Sequence, residues 1–142
     1  MLRFFYDLWF VYNNDEYGEQ SFHIGYFSSV KKVREIVGQL KDQPGFRDHS
    51  VECFQFPKFG ITVPAGTSKS GFCLYVPSYD HMGEDGWDTW AIFGAFATEK
   101  EAKAELEKQK KKKEFRQHQD CFLCEEWIVD KDVEWREGFS HF

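Results

Sequence analysis

Ile24-Gly-Tyr-Phe-Ser-Ser29, followed by an apolar-periodic stretch and then Phe46-Arg-Asp-His49, recurs without a gap as Phe93-Gly-Ala-Phe-Ala-Thr98 and Phe115-Arg-Gln-His118. A constant offset of 69 places Gly25 on Gly94, Phe27 on Phe96, Val33 on Ala102, Val37 on Leu106 and Arg47 on Arg116. Repetition at a fixed period signals one structural unit used twice. Each copy alone hides only a modest share of its own surface, which predicts that the two fold around a shared core.

Reading outward from the repeat supplies the elements. Residues 4–12 place Phe4, Tyr6, Leu8 and Phe10 against Phe5, Trp9 and Val11, so both alternating sets are apolar, as in a central strand covered on two faces. The polar, Gly-containing stretch 13–19 then leads into a second β-type run over 20–27, a hairpin. Ser28 or Ser29 can cap a helix in which Val30, Val33, Ile36, Val37 and Leu40 make one apolar stripe, and Pro44-Gly45 ends it. A third strand follows over 51–56. The second copy predicts strands over 72–76 and 87–96, a helix over 99–112 and a strand over 122–129.

The predicted fold class is therefore α+β, a tandem repeat of β-β-α-β units sharing one core, with mostly antiparallel sheet and two helices. Residues 1–59 form the first unit. The small-residue stretch 60–71, with Pro64-Ala-Gly-Thr-Ser-Lys-Ser-Gly71, is read as a linker, and 72–142 as the second unit with its C-terminal tail. A right-handed crossover sets each third strand beside the first and parallel to the second, in one six-stranded sheet or two three-stranded ones. Glu105 and Gln109 replace Ile36 and Leu40 on the second helix, which narrows its apolar face. Gly25 and Gly94 occupy the same strand site, where a missing side chain lets the helix approach or permits a bulge.

Composition limits the function classes. Sixteen Phe, six Tyr and five Trp supply burial and leave aromatic surface for binding. A net charge of −6 opposes general polyanion binding and suits a chain that meets a basic partner. The apolar start carries Asp7 and no small-residue cleavage pattern, and no run is long enough to cross a membrane. Four irregularly spaced cysteines do not form a secreted disulfide scaffold, so a cytoplasmic setting with reduced thiols is expected.

Three segments carry candidate chemistry. His118-x-x-Cys121-x-x-Cys124 offers the nitrogen and sulfur ligands zinc favours, with a fourth ligand to be drawn from Cys53, Cys73, His49 or His81. Residues three apart on a strand point to opposite faces, however, and buried Cys mostly behaves as a small hydrophobe. The run Lys108-Gln-Lys-Lys-Lys-Lys113 is surrounded by Glu99, Glu101, Glu105, Glu107 and Glu114 and lies where cations offset a helix C-terminus, so nucleic acid is not the expected ligand. Asp80-His-Met-Gly-Glu-Asp-Gly-Trp-Asp88 gathers carboxylates and aromatics without a calcium-loop spacing or a nucleophile–base pair. It reads as a contact surface: Glu84, Asp85 and Asp88 form an acidic rim, Trp87 is the exposed anchor, and alternation sets Trp90 with Ile92, Gly94 and Phe96 towards the core.

The tail Asp130-Lys-Asp-Val-Glu-Trp-Arg-Glu-Gly-Phe139 has no counterpart in the first copy, and its aromatics are expected to pin it over the sheet. Together with Glu114-Phe-Arg-Gln-His118, it resembles a family of short bacterial domains of unknown function, built as a hairpin, a helix, a G-F-[KR]-D turn, a last strand and a D-K-D-x-W-x-E-G-F ending. The resemblance covers the second unit, and the first more loosely through Pro44-Gly-Phe-Arg-Asp48. This chain differs in carrying two copies, in one extra residue before Trp135 and in lacking the ending in copy one. The resemblance implies fold and bacterial origin and no mechanism. The functional expectation is a non-catalytic protein-binding module, immunity- or antitoxin-like, that blocks a basic partner such as a toxin and needs no cofactor. The alternative is a small metal-dependent or zinc-binding domain using His81, Glu84, Asp85, His118, Cys121 and Cys124. An exposed edge strand leaves homodimer formation open.

Overall fold

The computed structural model describes residues 1–84, 86 and 88–140, with Asp88 described by its backbone alone. Among them lie two α-helices and seven strands, arranged as an α+β fold with two antiparallel sheets. No helix among the described residues is long and apolar enough to cross a membrane. The chain divides into two units. One comprises Met1–Phe72 together with the tail from Ile128, and the other Cys73–Trp127.

In the first unit the doubly apolar strand β1 (Leu2–Asn14) is central, as its pattern requires. The strand β2 (Gly18–Phe27) pairs along one side of it, antiparallel, while β3 (Phe54–Gln55) and β4 (Lys58–Thr62) share the other side. β3 therefore runs parallel to β2, as the crossover rule demands. The helix α1 (Val30–Leu40) starts at Ser29, whose hydroxyl accepts from Lys32 N, and buries Val33, Ile36 and Leu40. They pack with Leu8, Phe10, Tyr12 and Ile24. Phe10 sits 4.9 Å from both Phe46 and Phe54, in edge-on contact. On the opposite face of β1, Phe5 meets Phe59 and Phe72. Each such fully buried side chain contributes about 1.5–3 kcal/mol of transfer free energy.

The second unit repeats the element order. Its strands β5 (Cys73–Met82), β6 (Asp88–Ile92) and β7 (Phe122–Ile128) run β6-β5-β7 across the sheet, matching β2-β1-β3. β7 leaves the unit at its last residue. The helix α2 (Glu99–Lys110) opens at Thr98, which accepts from Glu101 N, with Glu99 and Glu101 at its positive end and Lys108 and Lys110 at its negative end. Short 3-10 turns follow each helix at Phe46–Asp48 and Val51–Cys53, and at Lys113–Phe115 and Gln119–Cys121. The narrow stripe of α2 is filled partly by Gln109, buried and donating to Glu105 at 2.7 Å. Tyr79, Phe115 and Phe122 form its aromatic centre, at ring separations from 4.7 to 5.6 Å.

Two boundaries differ from those expected. Residues 60–71 are not a free linker: β4 pairs Leu2 through Tyr6 with Thr62 through Lys58, and buried Val63 donates its N–H to Met1 O. Small residues mark tight turns here, as at Pro64, whose carbonyl accepts from both the N–H and the hydroxyl of Thr67. The tail, in turn, completes the first unit although it follows the second in sequence. Local pattern reports which residues are extended or apolar and is silent on which distant edge a tail will cover.

The tail's attachment is specific. Asp130 N and Glu134 N donate to the carbonyls of Tyr26 and Ile24, so the tail lines the outer edge of β2. The Asp130 carboxylate accepts from Ser28 N at 2.9 Å and from Ser28 Oγ at 2.6 Å. The β1–β2 register shifts beside Leu8, adjoining Gly25, and a Cβ on Gly25 would lie 2.6 Å from Asp132 O. Trp135 stacks near Phe22, and Phe139, 8% exposed, enters the core among Phe10, Tyr12, Phe22 and Phe46. Phe139 N donates to Pro44 O, and Gly45, at φ +84°, leaves room that a side chain would take from Phe139 O.

Phe139→Ala is expected to lower unfolding free energy by about 3–5 kcal/mol, the usual cost of emptying an aromatic core position, as measured by urea titration. Gly38→Ala, at an exposed helix-interior site with nothing within 4 Å of the new methyl, should raise it by about 1 kcal/mol.

Candidate functional site

The turn after β5 is closed by Gly86 N donating to Gly83 O, and from it the β5–β6 register counts back in pairs: Met82 with Asp88, His81 with Thr89, Asp80 with Trp90, Tyr79 with Ala91. Alternation then assigns faces. Tyr79 is 2% exposed, on the inward side, whereas Asp80, Met82 and Trp90 stand on the outward one. Met82 is 61% exposed and Trp90 50%. The expectation that Trp90 faces the core is thus corrected. Gly94 adopts φ +118° and β6 stops at Ile92, so the alternation that ties Trp90 to Phe96 is broken between them.

Of the four residues singled out for partner contact, Glu84 is exposed at the tip of this turn. Asp85 and Trp87 lie outside the described residues, as does the side chain of Asp88, whose backbone pairs with Met82. Asp80, Met82 and Trp90 are additions that composition alone does not single out. Counting pairs back from the Gly83–Gly86 turn would have found them. Residues 80–92 hold four carboxylates and no Lys or Arg, so the segment is acidic in sequence.

The metal-like pattern separates. Cys121 Sγ lies 3.4 Å from His81 Nδ1, and the rings of His81 and His118 stack at 3.6 Å. Cys124, three residues along, is instead in the electrostatic neighbourhood of Glu99 and Lys103. His118 and Cys121 therefore come together, with His81 as the third member, and Cys124 does not join them. Two parallel imidazole planes direct their nitrogen lone pairs side by side, and among the described residues no group of three or more His, Cys, Asp or Glu is placed to hold a metal ion. Burial, and after it the Asp120 carboxylate, raise the Cys121 thiol above its ordinary pKa, which keeps it protonated and poorly nucleophilic.

The first unit holds another acid–imidazole pair. Asp7 Oδ1 and His23 Nε2 are 2.6 Å apart, and the imidazole is flanked by Trp9 and Tyr26. Its neighbours are rings of the sheet face, and the pair joins β1 to β2.

No protein-family model, no curated protein and no solved structure matches this chain.

A raised thiol pKa has a direct readout. The pH at which iodoacetamide modifies Cys121 at half its maximal rate should lie above that of a free thiol, and Asp120→Asn should bring it down. Peptide mapping across a pH series checks this, and a half-rate pH at or below the ordinary thiol value would contradict it.

Proposed function

We propose that this chain is a non-catalytic protein-binding module, of the immunity or antitoxin kind, that covers a basic surface on its partner with the outer face of the β5–β6 hairpin. The observation that carries the reading is the half-exposed Trp90 set directly across the ladder from exposed Asp80, with Met82 beside them. An indole next to a carboxylate suits an Arg or Lys side chain, whose stem lies on the ring while its cation meets the acid. Trp dominates binding hot spots, and Met adapts to irregular apolar partners. In this reading Glu84, Asp85, Trp87 and Asp88 belong to the same contact segment, and its acidic charge speeds and orients encounter with a basic partner. The tail's resemblance to short bacterial domains, and four cysteines too scattered for a disulfide scaffold, support a bacterial cytoplasmic setting.

One contact favours a second reading. The meeting of Cys121, His81 and His118 is what a small metal-dependent or zinc-binding domain would build upon. Elemental analysis separates the two, since stoichiometric zinc in the purified chain would favour the second.

For the binding reading, wild-type chain and a Trp90→Ala, Asp80→Lys variant are used as baits in extract of the native host and compared by quantitative mass spectrometry. The expected outcome is a basic protein recovered by the wild type and reduced at least about tenfold by the variant, equivalent to ~1.4 kcal/mol. Equal recovery would reject this face.

A further inference from the structure

β6 ends its sheet, so one side of its backbone is not taken up by the ladder to β5. Natural sheets blunt such edges with charged residues, Lys above all, with Pro, with bulges or with a covering segment, because an open row of N–H and C=O groups invites another strand. β4 carries Lys58 and Gly60, β7 carries Glu125 and Glu126, and β2 is covered by the tail. Beyond its first residue, Asp88, the run Thr89-Trp-Ala-Ile92 has no charged residue, Pro or Gly, and Thr89 and Trp90 on it are exposed. Thr89, Trp90 and Ile92 are residues that favour extended backbone.

What occupies the corresponding edge of the first unit indicates the mode of docking. There an extended segment lies along β2 and its amides donate to Ile24 O and Tyr26 O. The seat for that particular segment is not reproduced in the second unit, where the offset puts Ala97 at the place of Ser28 and Glu114 at the place of Gly45. A second copy of the hairpin is no better suited. Pairing β6 with β6 would bring together two hairpins that each hold four carboxylates over residues 80–92 and no Lys or Arg.

We infer that β6 takes up, by strand addition, an extended segment of a basic partner in which Lys or Arg alternates with apolar residues. One set of side chains would fall on the face of Asp80, Met82 and Trp90, and main-chain hydrogen bonds would supply affinity along the edge. The inference rests on the protein-binding reading above and adds to it how the partner is held.

The test uses the full chain and a short acetylated peptide alternating Arg and Val, with the same peptide N-methylated at alternate amides as control. Methylation preserves charge and removes the donors that a ladder needs. The wild-type chain should bind the unmodified peptide at least about tenfold more tightly by calorimetry, with hydrogen-exchange protection gained over residues 89–92. Equal affinities, protection elsewhere, or no binding of either peptide would overturn the inference, and so would a dimer of the chain alone protected over the same residues. The Trp90→Ala, Asp80→Lys chain separates the two ideas. Equal affinities that both vanish in this variant retain the acidic aromatic face and remove strand addition; a preference for the unmodified peptide that persists undiminished in it retains strand addition and removes the face.

Discussion

The grip of the tail on the first unit is the contact on which that unit depends. A carboxylate that accepts both the N–H and the hydroxyl of Ser28 makes charge-assisted bonds, stronger than neutral ones, and it fixes the point at which the tail meets β2. From there the chain runs along an edge that would otherwise be open and places Phe139 against four aromatic rings. Asp130 and Trp135 are held at positive φ, a conformation costly for a tryptophan, which indicates that surrounding contacts determine the path. Without this segment the core cluster would lose Phe139 as a buried member and Val133 as a flanking one.

Much of the fold was legible because it is local or periodic. β1 announced itself as central through apolar residues on both faces, and α1 through its stripe and its capping serine. The crossover rule put β3 in its place with no long-range information. The Gly25 position was read as a bulge or a place for the helix to approach; the register does shift beside it, but what approaches is the tail. The stretch 60–71 differs from a free linker because its first three residues belong to β4 and take their hydrogen bonds from the N-terminal half of β1, a partner that composition does not reveal. The destination of the tail was hidden for the same reason. Its motif fits a partner surface made by Ile24, Tyr26, Ser28 and Pro44, and nothing in its own residues specifies which copy supplies it.

The candidate site was legible as a segment and not as a face. Acidity and tryptophans directed attention to residues 80–88, but the orientation of each side chain follows from hairpin register. A single left-handed glycine at position 94 was enough to invert the reading of Trp90. The Cys/His cluster shows the converse. Sequence spacing joined Cys124 to His118 and Cys121, whereas the fold substitutes His81, stacks two imidazoles and, by burial, raises the Cys121 thiol above its ordinary pKa.

Gly71 N donates to Val129 O and Val129 N to Phe72 O, so the chain departs for the second unit and returns from it at neighbouring points of the first. During translation this reverses the ordinary sequence of events. The portion synthesised first must wait, its β2 edge uncovered and its core short of an aromatic ring, until Cys73–Trp127 has been made and the residues after it emerge from the ribosome. Contacts of such high sequence separation slow folding and prolong exposure of sticky intermediates. A nascent chain of this protein thus keeps that edge and that core position open until residues 128–139 arrive.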